Sequence, residues 1–195
     1  MKGRRPEEYE GLVRTVLLML MLVSAYFIVR GGARFVSSPQ VETKRERPCV
    51  IIDAGHGGVD PGKVSVDGAL EKDINLAIAQ KLQRFLQQQD VDAVLTRQSD
   101  AGLYDENASN KKVQDMKNRV ALIEERQPVL TVSIHQNSYH EEYVHGAQVF
   151  YYANSTKSQE LAEMIQQVMA LELDKDNARK AKANDSYYLL KKTST

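Results

Sequence analysis

His56, Glu71 and His135 are the residues of this chain best placed to do chemistry together. His56 stands in VIIDAGHGGVDPG, residues 50–62, where apolar strand material runs straight into a loop with one imidazole between glycines. His135 closes a second apolar run, VLTVSIH, residues 129–135, and Glu71 lies in the first turn of the helix that leaves the His56 loop. Two histidines and one glutamate are a frequent catalytic zinc set, with metal–nitrogen distances near ~2.0–2.1 Å and a fourth position open to water. A cation so held polarises a carbonyl and acidifies bound water. The glycines beside His56 let the loop bend tightly and keep bulk away from the metal.

Other readings of the same residues are weaker. A Gly-rich turn between strand and helix can cradle phosphate, but GHGGVDPG lacks the G-x-G-x-x-G spacing and has no following Gly-Lys-Ser/Thr. Glu71 taken alone would be a helix-start carboxylate favoured by the dipole. His140 and His145 follow His135 at five-residue intervals, which alternates faces along a strand, and NSYHEEYV reads as exposed loop carrying Glu141 and Glu142. The single cysteine, Cys49, excludes an internal disulfide framework and a Cys-based zinc cluster, and reads as a small core residue.

Residues far apart in sequence meet when an alternating strand and helix order brings strand ends to one rim. CVIID is a first strand, and Leu70, Ile74, Ala77, Ile78, Leu82, Phe85 and Leu86 keep helical spacing through to Gln89. DAVLT, residues 92–96, is a second strand. Val113, Met116, Val120 and Ile123 mark a helix that stops before Pro128. VLTVSIH is the third strand and AQVFYY, residues 147–152, the fourth. Ser155 then caps a helix with Leu161, Met164, Ile165, Val168 and Leu171 as its apolar face. The fold class is α/β, a mostly parallel sheet with helices on both faces.

The N-terminal part has a different character. RTVLLMLMLVSAYFIVR carries no charge between Arg14 and Arg30 and follows Lys2, Arg4 and Arg5, so one transmembrane helix is expected over residues 12–30, after a cytoplasmic segment 1–11. The charge bias sends the rest outside the cytoplasm, giving a single-pass cell-membrane protein, or a secreted one if the segment is a cleaved signal. Residues 31–48 have linker composition, and residues 49–195 form the folded domain. Twenty-six basic residues balance 26 acidic ones without a basic stripe, which argues against nucleic acid as partner.

IIDAGHGG, LEKDINLAIAQKL, NRVALIEE, SIHQNS and GAQVFYY together resemble the zinc-dependent N-acetylmuramoyl-L-alanine amidases of bacterial cell walls, from about Val50 to the end of the chain. SIHQNS, GAQVFYY and AKANDSYYLLKKT look most like the membrane-anchored spore-cortex and germination branch. The resemblance implies zinc on His56, Glu71 and His135, peptidoglycan as substrate, and cleavage of the amide between the muramic lactyl group and L-alanine. In the cortex branch it also implies preparation of muramic acid for lactam formation, and it leaves room for an activating protein. The family's catalytic glutamate ends a further strand that would lie beyond Thr195, so this chain is expected to be weakly active or to act as a peptidoglycan-binding module, with YYLL, residues 187–190, leading into the lost strand. Asn137, two residues past His135, is expected to orient water or a substrate amide. Arg119 is a structural pairing partner first and a substrate contact second. Asn75 and Asp53 are candidates for fixing the imidazole tautomers.

Overall fold

A computed structural model describes residues 14–28, 47–139, 141 and 143–194. The chain divides into two compact units, Met1–Arg45 and Glu46–Thr195. Within the first, residues 14–28 form helix α1. The spanning helix expected over 12–30 is not supported. The described helix is about 22 Å long at ~1.5 Å per residue, and no helix among the described residues is long and apolar enough to cross a membrane. The rest of that segment, the 1–11 terminus and nearly all of the 31–48 linker lie outside the described residues.

The second unit is built on β1 (Cys49–Ala54), flanked by β2 (Asp92–Leu95) and β3 (Leu130–Ile134) in the order β2-β1-β3. Both pairings are parallel: Ile52 stands opposite Leu95 on one side and Val132 on the other. Parallel neighbours require crossovers, and α2 (Glu71–Gln88) and α3 (Lys111–Arg126) supply them. Alternation along β1 sends Val50, Ile52 and Ala54 into a cluster with Ala79, Leu76, Leu82 and Leu86 of α2. Ile51 points the other way, against Ile123, Met116 and Val120 of α3. The expected helices on both faces are therefore present.

Local signals explain the helix ends. The Asn110 side chain accepts from Val113 N at 3.0 Å, and Gln127, in the left-handed region at φ 45°, closes α3 ahead of Pro128. The Ser155 side chain accepts from Ser158 N at the start of α4 (Thr156–Leu173), as its capping role predicts.

The C-terminal third departs from expectation. The fourth strand, β4 (Phe150–Tyr152), does not join the main sheet but pairs in parallel with β5 (Lys182–Asn184). On α4 the buried residues are Ala162 and Gln166, while Met164, Val168 and Leu171 of the expected apolar face are exposed. Gln166 is drawn inward because its amide accepts from Val149 N at 2.8 Å and donates to Ala147 O at 3.0 Å, which satisfies backbone just ahead of β4. Starting within YYLL, Tyr188–Lys192 form helix α5, whose Leu189 packs on Ile51 and Ile123.

Ile52 is fully buried, so Ile52→Ala should lower unfolding free energy by about 2–5 kcal/mol. The control Val129→Ala, at a side chain 70% exposed, should shift it by no more than about 0.5 kcal/mol. Urea titration followed by circular dichroism measures both.

Candidate metal centre

The C-terminal ends of β1 and β3 lie side by side, with Ala54 opposite Ile134, and Gly55 N donates to Ile134 O at 3.1 Å. His56 and His135 follow directly, so the register of two parallel strands brings their rings to a centroid separation of 4.8 Å. Glu71 arrives from the loop after His56. That loop folds back beneath α2, whose first amides donate to its carbonyls: Glu71 N to Lys63 O at 2.9 Å and Lys72 N to Pro61 O at 3.1 Å. Orphan donors of the helix start thus dock α2 on the loop that carries His56.

The three side chains converge, each offering a ligand atom within 4.8 Å of the others. His56 Nε2 and His135 Nδ1 both lie 3.1 Å from Glu71 Oε1. A tetrahedron with ligand distances of about 2.0–2.1 Å has edges of about 3.3 Å, close to the two separations from Glu71 Oε1, and two imidazoles with a carboxylate are a donor set that suits a zinc-sized cation. Burial alone would raise the Glu71 carboxyl. The amides of Lys63 (2.8 Å) and Gln136 (2.9 Å), together with His56, hold it below the ordinary glutamate value. It is therefore an anion aimed at two imidazoles.

Two glycines make room for this approach. A Cβ on Gly55 would stand 2.3–2.7 Å from ring atoms of His135, and one on Gly62 would stand 2.7 Å from both Glu71 Oε2 and His56 Cδ2. His56 itself takes φ 64°, a strained value for a residue with a side chain.

Beneath the rim lies a buried polar layer. Asp53 accepts from Arg119 Nη1 at 2.6 Å, Thr96 Oγ1 at 2.8 Å and Ser133 Oγ at 2.6 Å. Arg119 also donates to Ala54 O, to His56 O at 2.8 Å and to Asp115 at 2.7 Å. At 1% exposure the Arg119 guanidinium is buried and committed to these partners. Burial pushes the Asp53 carboxyl up, but the Arg119 charge and the Ser133, Arg119 and Thr96 bonds hold it below the usual aspartate value.

The other expected residues are placed as follows. Asn75 is fully buried and donates to Gly55 O at 3.2 Å and, at 3.4 Å, to Glu71, so it supports the carboxylate rather than an imidazole. Asp53 likewise touches Arg119, Thr96 and Ser133 and neither ring. Asn137 is exposed, and β3 stops at Ile134, so the strand alternation that would have set it on the His135 face does not extend to it. His145 pairs with Asp174 at 2.8 Å; His140 and Glu142 lie outside the described residues. Three contributors escaped the sequence reading. Asp60 Oδ2 lies 3.0 Å from His56 Nδ1, Gln136 donates its amide to Glu71, and Arg97 donates to Ala54 O and Gly55 O. The only sequence signal for Asp60 is its position four residues after His56, in a turn closed by Pro61 and Gly62.

Parallel strands ending in a His/Glu/His cluster define an α/β protein with the donor set of a metallohydrolase. Residues 50–195 match the Amidase_3 family, N-acetylmuramoyl-L-alanine amidase, and the chain belongs to it. It is similar to the germination-specific N-acetylmuramoyl-L-alanine amidase of Bacillus subtilis (strain 168), 35% identical over 144 residues, covering 72% of this chain and 60% of that protein. The amidase AmiA of Escherichia coli (strain K12) is 30% identical over 156 residues, covering 79% of this chain and 48% of that one. Among solved structures, the CwlD amidase from Clostridioides difficile in complex with the GerS lipoprotein superposes with TM-score 0.73 at 38% identity, over 76% of this chain and 78% of that chain. The chain spans 60% or less of the length of these two curated relatives.

Two outcomes follow from this geometry. Gly55→Ala must displace the His135 ring, so it should weaken zinc binding at least about tenfold while the circular dichroism spectrum stays unchanged; competition with a chromogenic chelator reads it. Because the folded Asp53 pKa is depressed, its stabilising contribution is fully present above the unfolded aspartate value of about 4 and is lost as pH falls through the folded one. Urea midpoints should therefore drop on acidification below about pH 4, and Asp53→Asn, although destabilised at neutral pH by about 3–5 kcal/mol, should drop less steeply.

Proposed function

We propose that residues 49–195 hydrolyse the amide joining the lactyl group of N-acetylmuramic acid to L-alanine of the peptidoglycan stem peptide, with Zn²⁺ held by His56, Glu71 and His135. The observation that carries this is the convergence of those three donors, in a chain of this family. Zinc when bound would supply a Lewis acid for the amide carbonyl and acidify a water. The chain's own part is to keep Glu71 ionised, through the Lys63 and Gln136 amides, and to hold His56 over it from the Arg119 layer below.

Spore cortex is the proposed setting, with lactam formation downstream of peptide removal; the similarity to a germination-specific enzyme supports it. The CwlD structure holds a lipoprotein, which supports a partner protein for this chain too. Peptidoglycan lies outside the cytoplasm, so the proposal places the folded unit in the cell envelope. The basic residues ahead of the apolar N-terminal run supply the charge bias for export.

The second reading is a peptidoglycan-binding module. It draws support from the commitment of Glu71 and Asp60, the carboxylates that face the His56 and His135 imidazoles among the described residues, which leaves neither for general acid–base work on the amide. Such assistance is worth roughly 10²–10⁴-fold in rate.

Incubation with muropeptides and mass spectrometry separates the two. Release of stem peptide with a free N-terminal alanine, lost in His56→Ala and His135→Ala and after chelation, establishes the amidase. Zinc content and glycan retention with no release would establish the binding module, and release of a terminal amino acid would make the protein a carboxypeptidase.

A further inference from the structure

The two imidazoles are held differently. His135 is 45% exposed and faces Glu71 through Nδ1. His56 is flanked on both nitrogens by carboxylate oxygens, Asp60 Oδ2 at 3.0 Å from Nδ1 and Glu71 Oε1 at 3.1 Å from Nε2. A neutral imidazole has one N–H and one lone pair, so only one of these carboxylates can receive a proton from it. If Nε2 carried the proton, that nitrogen would donate to Glu71 and could not bind a cation.

Asp60 is built to decide this. Its backbone is locked by a reciprocal pair of bonds with Gly57, N to O at 3.1 Å and O from N at 3.0 Å, across a tight four-residue turn. Its Oδ1 accepts from Gly62 N at 3.2 Å, which leaves Oδ2 facing the ring. Lys112 Nζ stands 3.4 Å from Oδ2 and favours the ionised carboxylate there.

We propose that Asp60 is a positioning residue that keeps the His56 proton on Nδ1 and so reserves the Nε2 lone pair for a divalent cation. The inference rests on the reading of the cluster as a metal centre. It makes His56 a carboxylate-oriented ligand and leaves His135 to be set by its neighbours Gly55 and Glu71.

The test is sharpened by the role of Oδ1. In Asp60→Asn the carbonyl oxygen is required by Gly62 N–H, so the NH₂ group faces His56 Nδ1 and demands a lone pair there, moving the proton to Nε2. Asp60→Asn should therefore bind Zn²⁺ about 10–100-fold more weakly than the wild type, and at least as weakly as Asp60→Ala. In the zinc-free proteins, ¹⁵N–¹H correlation spectra of the histidine rings should show the Nδ1–H tautomer of His56 in the wild type and the Nε2–H tautomer in Asp60→Asn. Asp100→Ala is the control for mere loss of loop bracing, because Asp100 holds Gly58 N and Lys72 and touches no ring. It should keep the Nδ1–H tautomer and bind zinc within about threefold of wild type. Unchanged affinity or unchanged tautomer in Asp60→Asn, or an equal loss in Asp100→Ala, overturns the proposal. A wild-type protein that binds no zinc removes the metal reading itself. Where Asp60→Ala fails to fold, the isosteric Asn variant alone decides.

Discussion

Strand β1 ends inside the protein, and the carbonyls it presents there must find donors. An unpaired buried carbonyl costs about 1–3 kcal/mol, and three follow in succession as the chain leaves the sheet. Ala54 O accepts from Arg97 Nε and Arg119 Nη1, both at 2.9 Å. Gly55 O accepts from Arg97 Nη2 and Asn75 Nδ2, and His56 O from Arg119 Nη2. Two guanidiniums and an amide thus do for the strand end what a neighbouring strand does along its length. Because the same backbone carries His56, whatever satisfies those carbonyls also fixes the ring.

Two buried guanidiniums in one layer repel each other, and the surrounding carboxylates settle the charge. Burial and the neighbouring Arg119 pull the Arg97 pKa down, while Asp100, Asp53 and Asp115 act in the opposite sense. Burial would do the same to Arg119, yet Asp53 and Asp115 carry it above its ordinary value. Buried ion pairs of this sort are weak contributors to net stability but costly to half-remove, so the layer specifies one arrangement of the rim. No described buried side-chain nitrogen or oxygen lacks a hydrogen-bond partner, as such a layer requires.

Much of this was legible in the sequence, and the failures have physical causes. The three central strands and their two crossover helices follow from apolar runs and helical spacing, and the convergence of His56, Glu71 and His135 follows from where two strand ends and the helix leaving the first of them must gather. The C-terminal third did not follow. β4 and β5 are three residues each, too short for alternation to declare a partner, and α4 buries a glutamine because the backbone of residues 147–149 needs its amide. Arg97 and Asp60 were invisible for another reason: each acts on a backbone or ring that only the folded turn brings near. An arginine after a strand reads as a surface residue until the carbonyls it caps are known.

The rim is held firmly on one side and open on the other. On the His56 side, Tyr104 Oη accepts from Val59 N at 2.9 Å and Asp100 accepts from both Gly58 N and Lys72 Nζ, so the loop after β2 braces the His56 loop. On the His135 side, the chain leaves β3 through exposed Ser138 and Tyr139 and reaches an exposed Tyr143. His56 is tied to the interior through Arg119, which donates to its carbonyl, while His135 is 45% exposed and is followed by exposed Ser138 and Tyr139. The same register that pairs Ala54 with Ile134 therefore places the site's most constrained ring and its most accessible one a single strand apart.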